Sequence, residues 1–293
     1  FIGFAIKVPV FPFHTWLPLA HVEAPTAISV LLAGILLKLG VYGIIRVNYG
    51  LMPDGVYWFS YALALLGLIN VIWGGLCALA QTDLKKLVAY SSVNHMGYSL
   101  IGMAAIVAAG EANGANIKAA QAGMGGAVFQ MFNHGTISAM LFILVGVVYE
   151  RDPHTDIDGF GGLASQMPVY TGITALAFFA GLGLPGFSGF VSEAMCFIGA
   201  FPVFKTIVVL STIGILLNAA YFLWAFQRVF FGKLNEKYKD MPVINCLELF
   251  TVIPLAIITL FFGIYPRPYL DLIRSTMDQI IEKIAFVANY AAM

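Results

Sequence analysis

Runs of about twenty apolar residues, the length that crosses a bilayer as a helix, recur along almost the whole chain, and nothing else narrows the possible folds as far. Taken between charged clusters, the runs are 1–20, 25–45, 56–80, 87–109, 119–149, 167–200, 204–226 and 249–264. A single segment surrounded by lipid must satisfy every backbone N–H and C=O internally, so each run reads as a helix. No stretch alternates with period two as the strands of a membrane barrel do. Composition agrees, with 60% hydrophobic and 10% charged residues, against about 25% charged in soluble domains. The expected fold is therefore all-α, a polytopic transmembrane helix bundle over residues 1–270. It has about eight spans, the first broken and incomplete, and an amphipathic helix or tail follows at 271–293, where Ile280, Ile281, Ile284 and Val287 alternate with Arg274, Asp278, Glu282 and Lys283.

Charge excludes several classes of partner. Fifteen basic and fifteen acidic residues cancel, which gives no electrostatic reason to bind nucleic acid or an acidic soluble protein. Cys77, Cys196 and Cys246 are far apart and read as small hydrophobes rather than as a disulfide or metal framework. There is no phosphate-binding glycine loop, no CxxC and no HExxH. The chain opens on Phe1 without a basic segment and reads as part of a longer protein, with no visible signal peptide. One set of alternate loops holds Lys85, Lys86, Arg151, Arg228, Lys233, Lys237 and Lys239, and the other holds Arg46, Lys118 and Lys205. The positive-inside bias puts the richer set on the cytoplasmic side or its organellar equivalent.

Chemistry enters where charge interrupts the apolar runs. Lys38 has charge-free residues from Ala24 to Leu37 and from Leu39 to Ile45, and an ammonium at the middle of a membrane helix costs roughly 3 kcal/mol on insertion scales, so it marks function. Lys7 stands just before Val8-Pro9-Val10-Phe11-Pro12, and Glu193 follows Leu184-Pro185-Gly186-Phe187-Ser188-Gly189. Both spans read as broken, each followed by one uninterrupted helix. Paired broken helices point to an ion pathway, because unwound backbone is tolerated only where it lines a cavity. Between the breaks, Ser91, His95 and Ser99 make one helical stripe and Gln130, His134 and Ser138 another. Either stripe alone is explained by interhelical hydrogen bonds. Two such stripes beside Lys38 and Glu193 favour a hydrated proton relay, since histidine accepts and donates protons near neutral pH. His14, His21 and His154, next to breaks or in loops, are weaker candidates.

These residues resemble a known family. The segments Phe4-Ala5-Ile6-Lys7-Val8-Pro9, His14-Thr15-Trp16-Leu17-Pro18, Leu32-Ala33-Gly34-Ile35-Leu36-Leu37-Lys38, Gln81-Thr82-Asp83-Leu84-Lys85-Lys86, Ser91-Ser92-Val93-Asn94-His95-Met96-Gly97 and Leu184-Pro185-Gly186 are similar to antiporter-like membrane subunits of the M, or chain 4, type. Those belong to the proton-pumping NADH:quinone oxidoreductase, respiratory complex I, and its photosynthetic relatives. The resemblance implies an inverted-repeat antiporter-like fold of fourteen helices, of which this chain is the part from helix 7 onward. By motif it gives Lys7, Lys38, His95, His134 and Glu193 roles in proton translocation, with Lys7 paired to a glutamate outside this chain. Leu19 departs from the family, which commonly has Asp there.

The resemblance further implies a multi-pass protein of the bacterial inner, thylakoid or mitochondrial inner membrane. Its partners would be other membrane subunits, including neighbouring antiporter-like subunits, with lipid around them and no nucleic acid. No cofactor is expected in this chain; flavin, iron–sulfur clusters and quinone would sit elsewhere in an oxidoreductase that the chain serves without redox chemistry of its own. A subunit of a sodium/proton antiporter or of a membrane-bound hydrogenase is the neighbouring alternative. A non-conducting spacer is the alternative of another class, and buried Lys38 and Glu193 argue against it because unpaired buried charge is costly.

Overall fold

Apolar sequence this long leaves the chain little choice but helix, and the computed structural model, which describes residues 1–110 and 114–291, is helical with a single isolated β-bridge among the described residues. Among the described residues, six helical stretches are long and apolar enough to cross a membrane: Thr26–Tyr49, Pro53–Leu79, Leu84–Gly110, Asn116–Tyr149, Lys205–Phe230 and Cys246–Ile264. The two runs read as broken are broken. The first consists of α1 (Ile2–Lys7) and α2 (Trp16–Glu23), and the second of α9 (Pro168–Gly181) and α10 (Ser188–Ala200), preceded by the short α8 (Leu163–Gln166).

The crossing after the first break departs from the uninterrupted helix expected for it. It runs as α3 (Thr26–Leu31), a π turn over Leu32–Leu36, α4 (Leu37–Gly43) and a second π turn over Ile44–Tyr49. A π turn widens the helix by one residue and has no composition signature, which is why periodicity alone misses it. Here Gly34 brings it against the third crossing on, α7 (Gly114–Tyr149): a Cβ at Gly135 would lie 2.9 Å from the Gly34 carbonyl.

α5 (Pro53–Leu79) and α6 (Leu84–Ala104) pack most closely of all. Apolar attraction is no use between helices already in lipid, so small residues that let backbones meet supply the contact. A Cβ on Gly74 would stand 2.6 Å from the backbone nitrogen of Asn94, and one on Gly97 would stand 2.7 Å from the Gly67 carbonyl. α7 meets α10 the same way, through Gly126 against the Cys196 nitrogen and Gly199 against Gly123. The Leu84–Gly110 span is 94% buried over its most apolar window and Cys246–Ile264 only 17%, so the first is the axis of the bundle and the second its lipid-facing edge.

The remaining crossing is kinked at Thr212, between α11 (Lys205–Ser211) and α12 (Ile213–Phe230). α13 (Cys246–Ile264) starts three residues before the run read from hydropathy, because Asn245 and Glu248 form a reciprocal capping box. α14 (Arg267–Ala291) begins after Tyr265-Pro266, four residues ahead of the 270/271 boundary, and buries Met277, Ile281 and Ile284 against the bundle. Residues 292–293 of the expected tail lie outside the described residues.

The basic loops form a tied plug at one end. Asp83 caps α6 through the Lys86 N–H and accepts from Thr155, while Leu84 N–H donates to Thr155 O at 2.7 Å and Ile157 N–H to Thr82 O at 2.8 Å. Arg151 forks onto both Glu248 oxygens at 2.8 and 2.9 Å and donates to Val147, Pro242 and Val243 carbonyls. The Lys237 ammonium, 2.6 Å from Asp152, holds that carboxyl below its ordinary value.

Two glycine replacements separate close approach from helix preference. Gly74→Ala must push α5 off α6 and should destabilise the folded protein by about 1–3 kcal/mol. Gly172→Ala in α9, with nothing within 4 Å of the new methyl, should be neutral or stabilising by up to about 1 kcal/mol. Thermal unfolding in detergent compares the two, and equal losses would refute the packing argument.

Candidate functional site

The side chains that carry charge into the bundle meet between the two breaks. Lys38, two residues after the π turn, donates to the Ala33 carbonyl within it, and its ammonium is 2.6 Å from His134 Nδ1 on α7. Gly135 makes room for the lysine stem, with a Cβ there 3.7 Å from Lys38 Cε. The His134 and His95 rings are edge to face with centroids 5.4 Å apart. His95 Nε2 lies 2.9 Å from the Gly181 carbonyl at the end of α9 and 3.9 Å from Glu193 Oε1 on α10. All four side chains are buried, between 2% and 8% exposed.

Tautomers follow from the partners. A carbonyl oxygen only accepts, so His95 carries its proton on Nε2 and leaves Nδ1 as the accepting nitrogen. A charged Lys38 only donates, so His134 Nδ1 accepts and its Nε2 carries the proton. That Nε2 has no protein partner. His95, Gln130, His134 and Glu193 line a cavity of about 10 Å³ beside the second break, which is at the limit of what one water needs.

The second break is shaped around the carboxylate. Gly183 has φ +77°, and a Cβ there would lie 2.8 Å from Glu193 Oε2, so conformation and space both require glycine. Asn133 Nδ2 donates to Ser188 O at 2.8 Å and to Ser192 Oγ at 3.0 Å, and the Ser192 hydroxyl donates to Gln130. Thus Asn133 and Gln130, neighbours of His134 on α7, hold the first turn of α10 from which Glu193 projects.

Of the five residues singled out in the sequence, the structure gathers Lys38, His134, His95 and Glu193 into one row. Lys7 stands apart, exposed at the end of α1, although the backbone beyond it packs on the Lys38 helix: a Cβ on Gly40 would lie 3.0 Å from Val8 N. The stripes separate internally. Ser91 and Ser138 hydroxyls return to their own helix, at Val88 O and His134 O, and Asn94 binds Val71 O at 2.7 Å across to α5. His14 accepts from Trp73 Nε1 at 3.1 Å, and His154 belongs to the plug, against Tyr238 and Asp152. His21 is fully buried, stacked on Phe142 at 4.3 Å, with neither ring nitrogen bonded to protein and with both Lys38 and Lys85 in electrostatic reach.

Sequence reasoning missed Asn70, whose side chain accepts from Phe11 N–H at 2.7 Å and donates to Pro9 O at 3.3 Å. The available signal was a lone carboxamide in the apolar run Leu68-Ile69-Asn70-Val71. It also missed the cluster in which Tyr221 donates to Asn218 at 2.9 Å and Asn218 reaches Tyr98 Oη at 3.4 Å.

A family model described as NADH:quinone oxidoreductase/Mrp antiporter, TM, matches residues 1–218. NADH-quinone oxidoreductase subunit M of Rhodobacter capsulatus is 42% identical over 283 residues, 96% of this chain and 53% of that protein. F(420)H(2) dehydrogenase subunit M of Methanosarcina mazei is 38% identical over 285 residues, covering 97% of this chain and 54% of its own. The chain therefore spans about half the length of the curated relatives it matches. Among solved structures, respiratory complex I from Thermus thermophilus with bound NADH contains a chain with TM-score 0.84 and 28% identity, covering 98% of this chain and 57% of that one. The Mrp complex from Dietzia sp. gives TM-score 0.83 at 19% identity over 99% of this chain and 59% of that one, a likeness of fold. This integral membrane protein, an all-α bundle with two discontinuous helices, belongs to the NADH:quinone oxidoreductase/Mrp antiporter family of antiporter-like transmembrane subunits.

Proposed function

We propose that this chain carries protons across an energy-transducing membrane as a redox-inactive subunit of a quinone oxidoreductase driven by NADH or a comparable donor. The observation that carries the reading is the buried row Lys38–His134–His95–Glu193, laid between two breaks in otherwise continuous helices. The relatives named for NADH-quinone oxidoreductase and F(420)H(2) dehydrogenase support the choice of driving complex. Flavin, iron–sulfur clusters and quinone belong to other subunits of that assembly, and neighbouring antiporter-like subunits are its lateral partners.

The row suggests the order of events. Lys38 stores a proton and passes it to His134 Nδ1 along their 2.6 Å contact. The imidazolium so formed releases the Nε2 proton toward His95 Nδ1, which accepts, and His95 then gives up the Nε2 proton to Glu193, 3.9 Å away. Accepting on one nitrogen and releasing from the other leaves each ring in the opposite tautomer, with Nδ1 protonated, so each must regain a bare Nδ1 by ring rotation or by proton exchange through water before it takes the next proton. Lys7 supplies a charge at the first break that biases whether Lys38 holds its proton. The face with the basic loops is the cytoplasmic, stromal or matrix face.

Lysine can lose its proton when buried and arginine cannot. Lys38→Arg in the intact complex should therefore assemble, as judged on a native gel, yet cut vesicle acidification by roughly tenfold or more. Full pumping by that variant would return the chain to a scaffold role. Glu193→Gln keeps shape and hydrogen bonding but cannot ionise, so it should also assemble while losing most proton translocation, and Glu193→Asp should retain part. Orientation is checked with exposed positions. A cysteine at Lys205 should react with an impermeant thiol reagent added from outside, and one at Lys233 should not; the reverse pattern inverts the topology.

A further inference from the structure

We propose that Asn70 is a positioning residue that fastens the unwound segment of the first break to the His95 helix, so that break and relay hold one geometry. The inference rests on the proton-translocation reading above. Broken helix in a membrane frees backbone groups that lipid cannot satisfy. Some are met locally, Val10 N–H by Ala5 O at 2.9 Å and Phe13 N–H by Val10 O at 2.7 Å. The Phe11 N–H and the Pro9 carbonyl point instead at α5, where the Asn70 carboxamide takes one on each end, Oδ1 accepting at 2.7 Å and Nδ2 donating at 3.3 Å. Asn70 is fully buried.

The same Nδ2 reaches Val93 O on α6 at 3.5 Å, two residues before His95, and Asn94 returns a bond to Val71 O at 2.7 Å. Residues 70–71 and 93–94 thus exchange carboxamide contacts, at the level where Gly74 lets the Asn94 backbone close to contact. One turn along α5, Trp73 donates to His14 at the far end of the unwound segment and meets the Phe11 ring at 5.9 Å. Both ends of the break are therefore held by one face of α5, and that face is locked to the helix that carries His95. A change of charge or position at Lys7, just before the segment, has a direct mechanical route to the relay.

The experiment uses the intact complex with Asn70→Leu, which keeps bulk and removes every bond, and Asn70→Asp, which keeps the acceptor for Phe11 N–H and loses the donors. Hydrogen exchange of peptides spanning residues 8–16 reads the fastening directly, and the ratio of protons moved to quinone reduced reads its consequence. Exchange in the Leu variant should quicken by about tenfold or more while its proton ratio falls by at least half, and the Asp variant should lie between it and wild type. In a Lys7→Met background, Asn70→Leu should cost little further pumping, because both act through the same segment. Unchanged exchange in the Leu variant overturns the proposal, as does faster exchange with a wild-type proton ratio, or a loss that simply adds to that of Lys7→Met. If the Leu variant does not assemble, the Asp variant must show the same two shifts at smaller size, and wild-type values there overturn the proposal equally. Normal pumping by Lys38→Arg would remove the relay reading itself, and the exchange measurement would still report whether Asn70 fastens the break.

Discussion

Hydrocarbon offers backbone amides no water, and the architecture follows from that constraint. Continuous helix meets it largely on its own, which is why six crossings among the described residues are marked by length and apolarity, although Lys38 also serves the Ala33 carbonyl in the π turn of one of them. The two interrupted crossings meet it with side chains, from across the break itself and from neighbouring helices. Trp16 donates to Ile6 O at 3.0 Å and Asn70 serves Phe11 and Pro9 at the first break; Asn133 serves Ser188 at the second. The side chains that meet the cost of unwinding thus come chiefly from α5 and α7, and α7 also carries His134 of the titratable row.

Burial and polarity are consequently reversed relative to a soluble protein. The outer face of α13 exposes Leu247, Phe250, Ile257 and Ile264, while the most buried crossing, α6, carries Ser91, Ser92, Asn94, His95 and Ser99. Lipid solvates the first group as well as a protein core would, so nothing is gained by hiding it. The second group must be inside because only other protein groups can bond it. Glycine contacts such as Gly74 against Asn94 and Gly126 against Cys196 then let the backbones close around an interior that still holds Phe142, Phe178 and Phe222.

Much of this was legible in the sequence because membrane rules are strict. Apolar run length placed the crossings within a few residues, and the Lys-Val-Pro and Leu-Pro-Gly interruptions located both breaks, since proline and a neighbouring charge are rarely accommodated together in plain helix. Helical spacing put His95 and His134 on inward stripes but treated serines and histidines alike. Hydroxyls such as Ser91 and Ser138 satisfy themselves within their own helix, a local option open to Ser and closed to the longer His. The π turns before and after α4, the kink at Thr212 and the partner of each asparagine were not legible. They are decided by which backbone a neighbouring helix presents, a long-range fact that no local pattern records.

The two ends of the row are built differently, and the difference bears on how a proton would move along it in the relay proposed above. Lys38 and His134 sit at hydrogen-bond distance on helices held together by Gly34 and Gly135, so transfer there needs no rearrangement of the backbone. His95 and Glu193, at 3.9 Å, are beyond a direct hydrogen bond, and His95 spends its Nε2 proton on the Gly181 carbonyl. Passage to Glu193 therefore requires that His95 exchange one acceptor for the other. Gly181 and Gly183 border the second break, and Gly183 has φ +77°, a conformation that residues with a side chain rarely adopt. A small turn of that segment alters the distance from His95 to the carbonyl and to the carboxylate together, because Glu193 Oε2 rests against Gly183 itself. In the proposed relay, control of the last step would accordingly lie in backbone at the break rather than in the histidine, and the first step could be fast without making the whole row leak.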